Sequence, residues 1–99
     1  MLVRVFEFRV KKGSERRVEA FMRRKPMALL RSIPSCRQAY FLRSREKKGV
    51  FLWVTVWTSP GALRRAMAGK AWKALVKEET VSIFAGKPKA GHWELVARK

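Results

Sequence analysis

One histidine, one cysteine and one tyrosine stand in a chain that contains no aspartate and no asparagine. His92 is the sole side chain of the type that exchanges protons near neutral pH, so it is the natural acceptor for the proton of a phenolic or enolic substrate. A structural or exposed histidine at the start of a strand is the plainer alternative. Arg4 interrupts an otherwise apolar strand face, where a guanidinium needs an anionic or carbonyl partner. That partner is either a substrate oxyanion or Glu94 on the last strand. Phe6, Phe8, Trp53, Trp57 and Trp72 are candidates to line a pocket for a flat aromatic molecule, although the same rings also serve as ordinary core. Tyr40 is a candidate donor in that pocket, or packs with its hydroxyl exposed. Cys36 follows a turn with no basic partner assigned to it, which argues against a nucleophilic thiol.

The missing residue types exclude much chemistry. Without aspartate there is no Ser-His-Asp triad, no EF-hand loop and no aspartate metal cluster. A single cysteine forms no intrachain disulfide, and with a single histidine it completes no zinc site, so no metal is expected. Ninety-nine residues with 47% hydrophobic content, 6 Gly and 4 Pro describe one small globular domain over residues 1–99. The longest nearly unbroken apolar run, Val50 to Trp57 with Thr55 interrupting it, is far short of the roughly 20 residues that span a bilayer, so no membrane association is expected. Met1 to Phe8 lacks the pattern of a signal peptide, and a cytoplasmic location follows as the expectation. Scarce Asn, Gln and Cys beside abundant Arg and Lys resemble a heat-adapted composition.

The balance of 24 Lys and Arg against 7 Glu gives a formal charge of +17. The basic residues are scattered, with one local pattern: Arg17, Arg24 and Arg31 are seven apart, and Arg16 and Arg23 repeat the spacing, making a stripe on one helical face. The stripe reads either as a solvated outer face or as a phosphate-tracking surface. Charge alone supplies nonspecific nucleic-acid binding at low salt.

These residues must be positioned by a small set of elements. Leu2 to Val10 alternates as a strand with Leu2, Phe6, Phe8 and Val10 on the side that Arg4 interrupts. Ser14 is a candidate N-cap for a helix to about Ser32, and Pro26 predicts a kink or break into two pieces near Lys25. Cys36 to Arg43 and Val50 to Trp57 form a hairpin across the polar turn Ser44 to Gly49. Ser59-Pro60 starts a helix that ends before Gly69, and Lys70 to Glu79 fits a second helix with Trp72, Leu75 and Val76 inward. Thr80 to Phe84 is apolar and ambiguous, Ala85 to Gly91 reads as loop, and His92 to Ala97 as the last strand.

The order β-α-β-β-α-β is that of a ferredoxin-like α+β fold, a four-stranded antiparallel sheet with helices on one face. Both faces of Val50 to Trp57 are apolar, with Val50, Leu52, Val54 and Val56 on one and Phe51, Trp53 and Trp57 on the other. Two helices cover one face, so an identical chain or stacked nucleic-acid bases must cover the second.

This topology resembles the antibiotic-biosynthesis monooxygenase superfamily over nearly the whole chain. The landmarks are Lys12-Gly13 closing the first strand, Ile33-Pro34-Ser35-Cys36, Trp57-Thr58-Ser59-Pro60-Gly61-Ala62-Leu63 leading into the second helical region, and Trp72 beyond it. The resemblance implies a homodimer whose two sheets close a dimeric α+β barrel, with a pocket in each subunit between sheet and helices. It also implies cofactor-independent oxidation of a small anthrone- or quinol-like aromatic by dioxygen, in which a substrate carbanion activates oxygen. In haem-degrading members an Asn, a Trp and a His carry the chemistry; Phe6, Ala66 and Val76 occupy those positions here, which disfavours that activity. The alternatives are a noncatalytic ligand-binding or dimerisation module and a basic nucleic-acid- or anion-binding protein. An RNA-recognition domain shares the element order, but the residues after Lys48-Gly49, Val50, Phe51 and Leu52, misplace the aromatic and small residues of its third-strand motif.

Overall fold

Three eight-residue runs rich in aromatic and aliphatic residues, punctuated by glycine, proline or serine, form three of the four strands of a computed structural model. It covers residues 1–99 and describes every side chain except those of residues 78–82. The elements are β1 (Leu2–Arg9), α1 (Glu15–Met22), α2 (Lys25–Arg31), β2 (Cys36–Arg43), β3 (Val50–Trp57), α3 (Pro60–Ala68), α4 (Lys70–Ile83) and β4 (Lys89–Glu94). The strands make one antiparallel sheet in the order β2-β3-β1-β4, the expected ferredoxin-like arrangement.

Pro26 breaks the first helical segment as expected. It lacks the N–H that would continue the ladder from α1, and it sits in the first turn of α2, where no such donor is needed. Ser14 stands at the N-cap of α1 without a side-chain capping bond, whereas Ser59 accepts the amide of Ala62 at 3.1 Å and caps α3. In the β2–β3 turn, the Ser44 hydroxyl accepts the amide of Lys47 at 2.9 Å, and Gly49 takes a φ of 80°, a left-handed conformation.

Two boundaries differ from expectation. The ambiguous stretch from Thr80 continues α4 as far as Ile83, which is fully buried, and Phe84 then bridges to Val10. The last strand begins at Lys89 and ends at Glu94, rather than running from His92 to Ala97, because β1 offers pairing partners only over that span: Glu7 opposite Lys89 and Leu2 opposite Glu94.

The two apolar faces of β3 separate cleanly. Phe51, Trp53 and Trp57 point to the helices and join Phe8, Val18, Phe21, Leu30, Leu63 and Ile83 in the core. Ring stacking ties the strands, with Phe41 and Phe51 centroids 5.3 Å apart and nearly parallel. The opposite face carries Val3, Val5, Leu52 and Val54, with buried Val50 and Val56 at the ends of β3 and exposed Tyr40, Leu42 and Trp93 at its flanks, and no helix packs over its centre among the described residues. Because Phe51 and Trp53 lie beneath the helices, they offer no open platform for stacked bases. No helix among the described residues is long and apolar enough to cross a membrane.

Candidate functional site

Arg4 and Phe6 of β1 and Trp53 and Thr55 of β3 form the floor of a cavity of about 300 Å³ between the sheet and the helices. The alternation of β1 and β3 sends these four side chains to one face, and the register sets Arg4 opposite Thr55 and Phe6 opposite Trp53. Phe21, Met22, Pro26 and Leu30 from the α1–α2 break supply one wall. Met67 of α3, Trp72 and Leu75 of α4, and Phe84 close the other. Among the described residues, Arg4 and Thr55 are the only polar side chains in the lining.

The Arg4 guanidinium carbon lies 4.9 Å from the Phe6 ring centroid, a cation–π contact. Burial pushes the guanidinium below its usual pKa. Glu94 does not reach it: that carboxylate binds the N-terminal amine of Met1 at 3.0 Å. The other observed ion pairs, Arg43 with Glu19 at 2.6 Å and Lys48 with Glu15 at 3.9 Å, also leave Arg4 without a carboxylate among the described residues. Thr55 is buried and accepts the indole N–H of Trp57 at 2.8 Å.

The sequence candidates fall into three places. Arg4, Phe6, Trp53 and Trp72 meet in the cavity. Phe8 and Trp57 are 2% and 1% exposed and pack at the two ends of the floor on the same face of the sheet, outside the lining. Tyr40 lies on the opposite face of the sheet, because its register partner is Val54. His92 is the register partner of Arg4 on β4, so its imidazole leaves the sheet on the cavity side, at the exposed edge and outside the cavity lining. Thr55 was not singled out by sequence, though it is the one polar residue among Phe51, Trp53 and Trp57 on the inner face of β3.

Cys36 is half-buried, its thiol directed to the carbonyl of Gln38 at 3.6 Å, and burial pushes its pKa up. No cluster of three metal-ligating side chains occurs among the described residues. Of the three positions that would carry haem-degrading chemistry, Phe6 and Val76 line the cavity, while Ala66 packs at the core margin.

The sequence model of the family described as antibiotic biosynthesis monooxygenase matches residues 1–78. No curated protein sequence matches the chain. Among solved structures, one described as an antibiotic biosynthesis monooxygenase superposes with a TM-score of 0.83 at 18% identity, covering 98% of this chain and 100% of the other. SnoaB, a cofactor-independent oxygenase from Streptomyces nogalater, superposes at 0.79 and 23% identity, covering 99% and 93%. A protein of unknown function from Nitrosomonas europaea superposes at 0.84 and 15% identity, covering 99% and 91%. At these identities the likeness establishes the fold.

Proposed function

The chain belongs to the antibiotic biosynthesis monooxygenase family, and from that membership we propose that it oxidises a small aromatic or quinol-like molecule with dioxygen, without a cofactor. The observation that carries the reading is the apolar cavity of about 300 Å³ with one guanidinium in its floor that has no carboxylate partner among the described residues. Such a cavity takes a flat ring system and stabilises negative charge on it. The likeness to SnoaB, a cofactor-independent oxygenase, supports the same reading.

In this reading Phe6, Trp53 and Trp72 hold the ring. Loss of a proton leaves an electron-rich carbanion or phenolate, and the Arg4 charge lowers its energy where it forms. His92, beside Arg4 in the sheet, takes the proton from the cavity rim. The anion reduces dioxygen, a carbon–oxygen bond forms, and the proton held by His92 returns to the distal oxygen to give a hydroperoxide. Loss of water from that peroxide converts a ring CH₂ and O₂ into a carbonyl and H₂O. Phe8 and Trp57 hold the floor from its two ends.

The uncovered sheet face bearing Val5, Leu52, Val54, Tyr40 and Trp93 supports a homodimer closed face to face, and the protein is proposed to work in the cytoplasm. Oxygen uptake by the purified, metal-stripped protein with anthrone and substituted hydroquinones tests the activity. Uptake that scales with protein concentration and falls in His92→Ala is the expected result. Uptake at the autoxidation background overturns it in favour of a ligand-binding or dimerisation module. Binding of a labelled single strand that survives about 0.2 M salt favours the nucleic-acid alternative, since purely electrostatic association falls steeply there.

A further inference from the structure

Four residues form one row across the sheet on the cavity side: Ala39 of β2, Thr55 of β3, Arg4 of β1 and His92 of β4. Directly opposed residues place their Cβ atoms about 5 Å apart, so the Thr55 hydroxyl and the Arg4 side chain leave the floor side by side. The next row, Phe41, Trp53, Phe6 and Ala90, is apolar. The cavity is therefore polar at one end and aromatic along its length.

Both polar groups at that end are hydrogen-bond donors without an acceptor among the described residues. The Trp57 indole N–H already occupies a lone pair of Thr55 Oγ1, and no acceptor for the Thr55 proton occurs among the described residues. Arg4 touches the face of Phe6 and has no carboxylate or carbonyl partner among the described residues. Of the acids whose side chains are described, four are engaged elsewhere or point away. Glu94 holds the Met1 amine, Glu15 and Glu19 pair with Lys48 and Arg43, and Glu7 is on the opposite face of the sheet. A charged donor and a neutral donor, side by side in an apolar cavity, are both costly until an acceptor arrives.

We infer that the cavity takes its ligand as an anion, a flat aromatic body carrying one carboxylate that sits between the Arg4 guanidinium and the Thr55 hydroxyl. This rests on the cavity proposed above as the substrate site, and it names the class of molecule that enters. A carboxylate fits because the planar guanidinium fork receives both of its oxygens and it is ionised at neutral pH, whereas a free phenol arrives uncharged. The ring body lies over Trp53 and Phe6 with Trp72 against it, and about 300 Å³ limits it to a few fused rings. With five N–H donors, Arg4 can hold the carboxylate and still face an adjacent oxyanion.

The test is calorimetric titration of the full chain in 0.3 M sodium chloride with 2-naphthoate and with its neutral counterpart 2-naphthylmethanol. Wild type is expected to bind the acid at least tenfold more tightly than the alcohol, one per chain. Arg4→Met should abolish that preference and leave alcohol binding in place, which also shows that the variant is folded. Arg4→Lys, keeping charge without the fork, should fall between. Thr55→Val should weaken the acid a few-fold more than the alcohol. Equal binding of both probes by wild type, binding of neither, or a preference that survives in Arg4→Met overturns the inference; the last outcome assigns the effect to the overall charge. These titrations need no turnover, so oxidation of neutral quinols without an acid preference counts against the anionic ligand alone. An acid preference without oxygen uptake counts against the oxygenase alone.

Discussion

Trp57 donates its indole N–H to the Thr55 hydroxyl over 2.8 Å, with both residues buried in the layer between sheet and helices. The bond joins the largest buried side chain of the core to the polar end of the cavity. Replacing Thr55 by valine keeps the shape and removes the acceptor, so the indole N–H is left unpaired in a dry environment. The expected cost is about 1–3 kcal/mol. For a domain of this size that corresponds to a fall in Tm of several degrees, read by thermal unfolding. Thr55→Ser keeps the acceptor and should lose no more than about 1 kcal/mol, the value of one buried methyl. Equal melting temperatures for Thr55→Val and wild type would show that the bond contributes nothing.

Arg4 makes the opposite prediction. Its guanidinium is partly desolvated, and its observed contact is with the Phe6 ring rather than with a carboxylate. Arg4→Met retains the aliphatic packing and removes a charge that has no carboxylate partner among the described residues, so the variant should be more stable than wild type by roughly 1 kcal/mol, on the order of the penalty for a desolvated polar group without a partner. A higher Tm together with lost oxygen uptake is the signature of a residue kept for function. A lower Tm would mean that the charge has a structural role.

How far the sequence discloses the fold depends on where the deciding contact lies. The break at Pro26 and the cap at Ser59 are local chemistry, and both fall where expected. The start of β4 is not local. Lys89, Ala90 and Gly91 have little strand character, and they become strand because Glu7, Phe6 and Val5 of β1 lie opposite them. The same distinction governs the cavity. Arg4 is visible in the sequence because it breaks an alternation. Tyr40 is not resolved by pattern, because β2 is apolar on both sides, with Ala39 and Phe41 facing the helices and Tyr40 and Leu42 the other way. Phe6 and Phe8 share a face, and only the seating of the helices leaves one on the cavity and buries the other beside it.

The start of α1 carries a pH dependence. The backbone N–H groups, first that of Glu15 itself, hold the Glu15 carboxyl below its usual range, with the Lys48 ammonium 3.9 Å away adding to the effect. A carboxyl with a depressed folded pKa favours the folded state at pH values above its unfolded pKa of about 4.3, and that contribution is lost as pH falls through the folded value. Glu15→Gln should therefore melt below wild type at pH 7, and the two melting curves should converge by about pH 3. Parallel curves across that range would remove Glu15 from the acid sensitivity of the fold.

The face away from the helices makes the last prediction. Val54 stands at its centre on β3, opposite Val5 and Tyr40, and Trp93 at the edge is 63% exposed. A face of valine, leucine and large aromatic residues left in water costs free energy over its whole area, and a second copy would cover it with the same residues. The proposed dimer should scatter light as twice the chain mass of 11.5 kDa. Val54→Lys places a charge at the centre of the paired sheets, where two copies meet across a two-fold axis and each Lys faces apolar surface. The expected outcome is a monomer with its helix-side core intact, since Val54 faces away from Trp53 and Thr55. A variant that remains a dimer would move the interface off this face, and a wild-type monomer at micromolar concentration would leave the sheet to be covered by something other than its own copy.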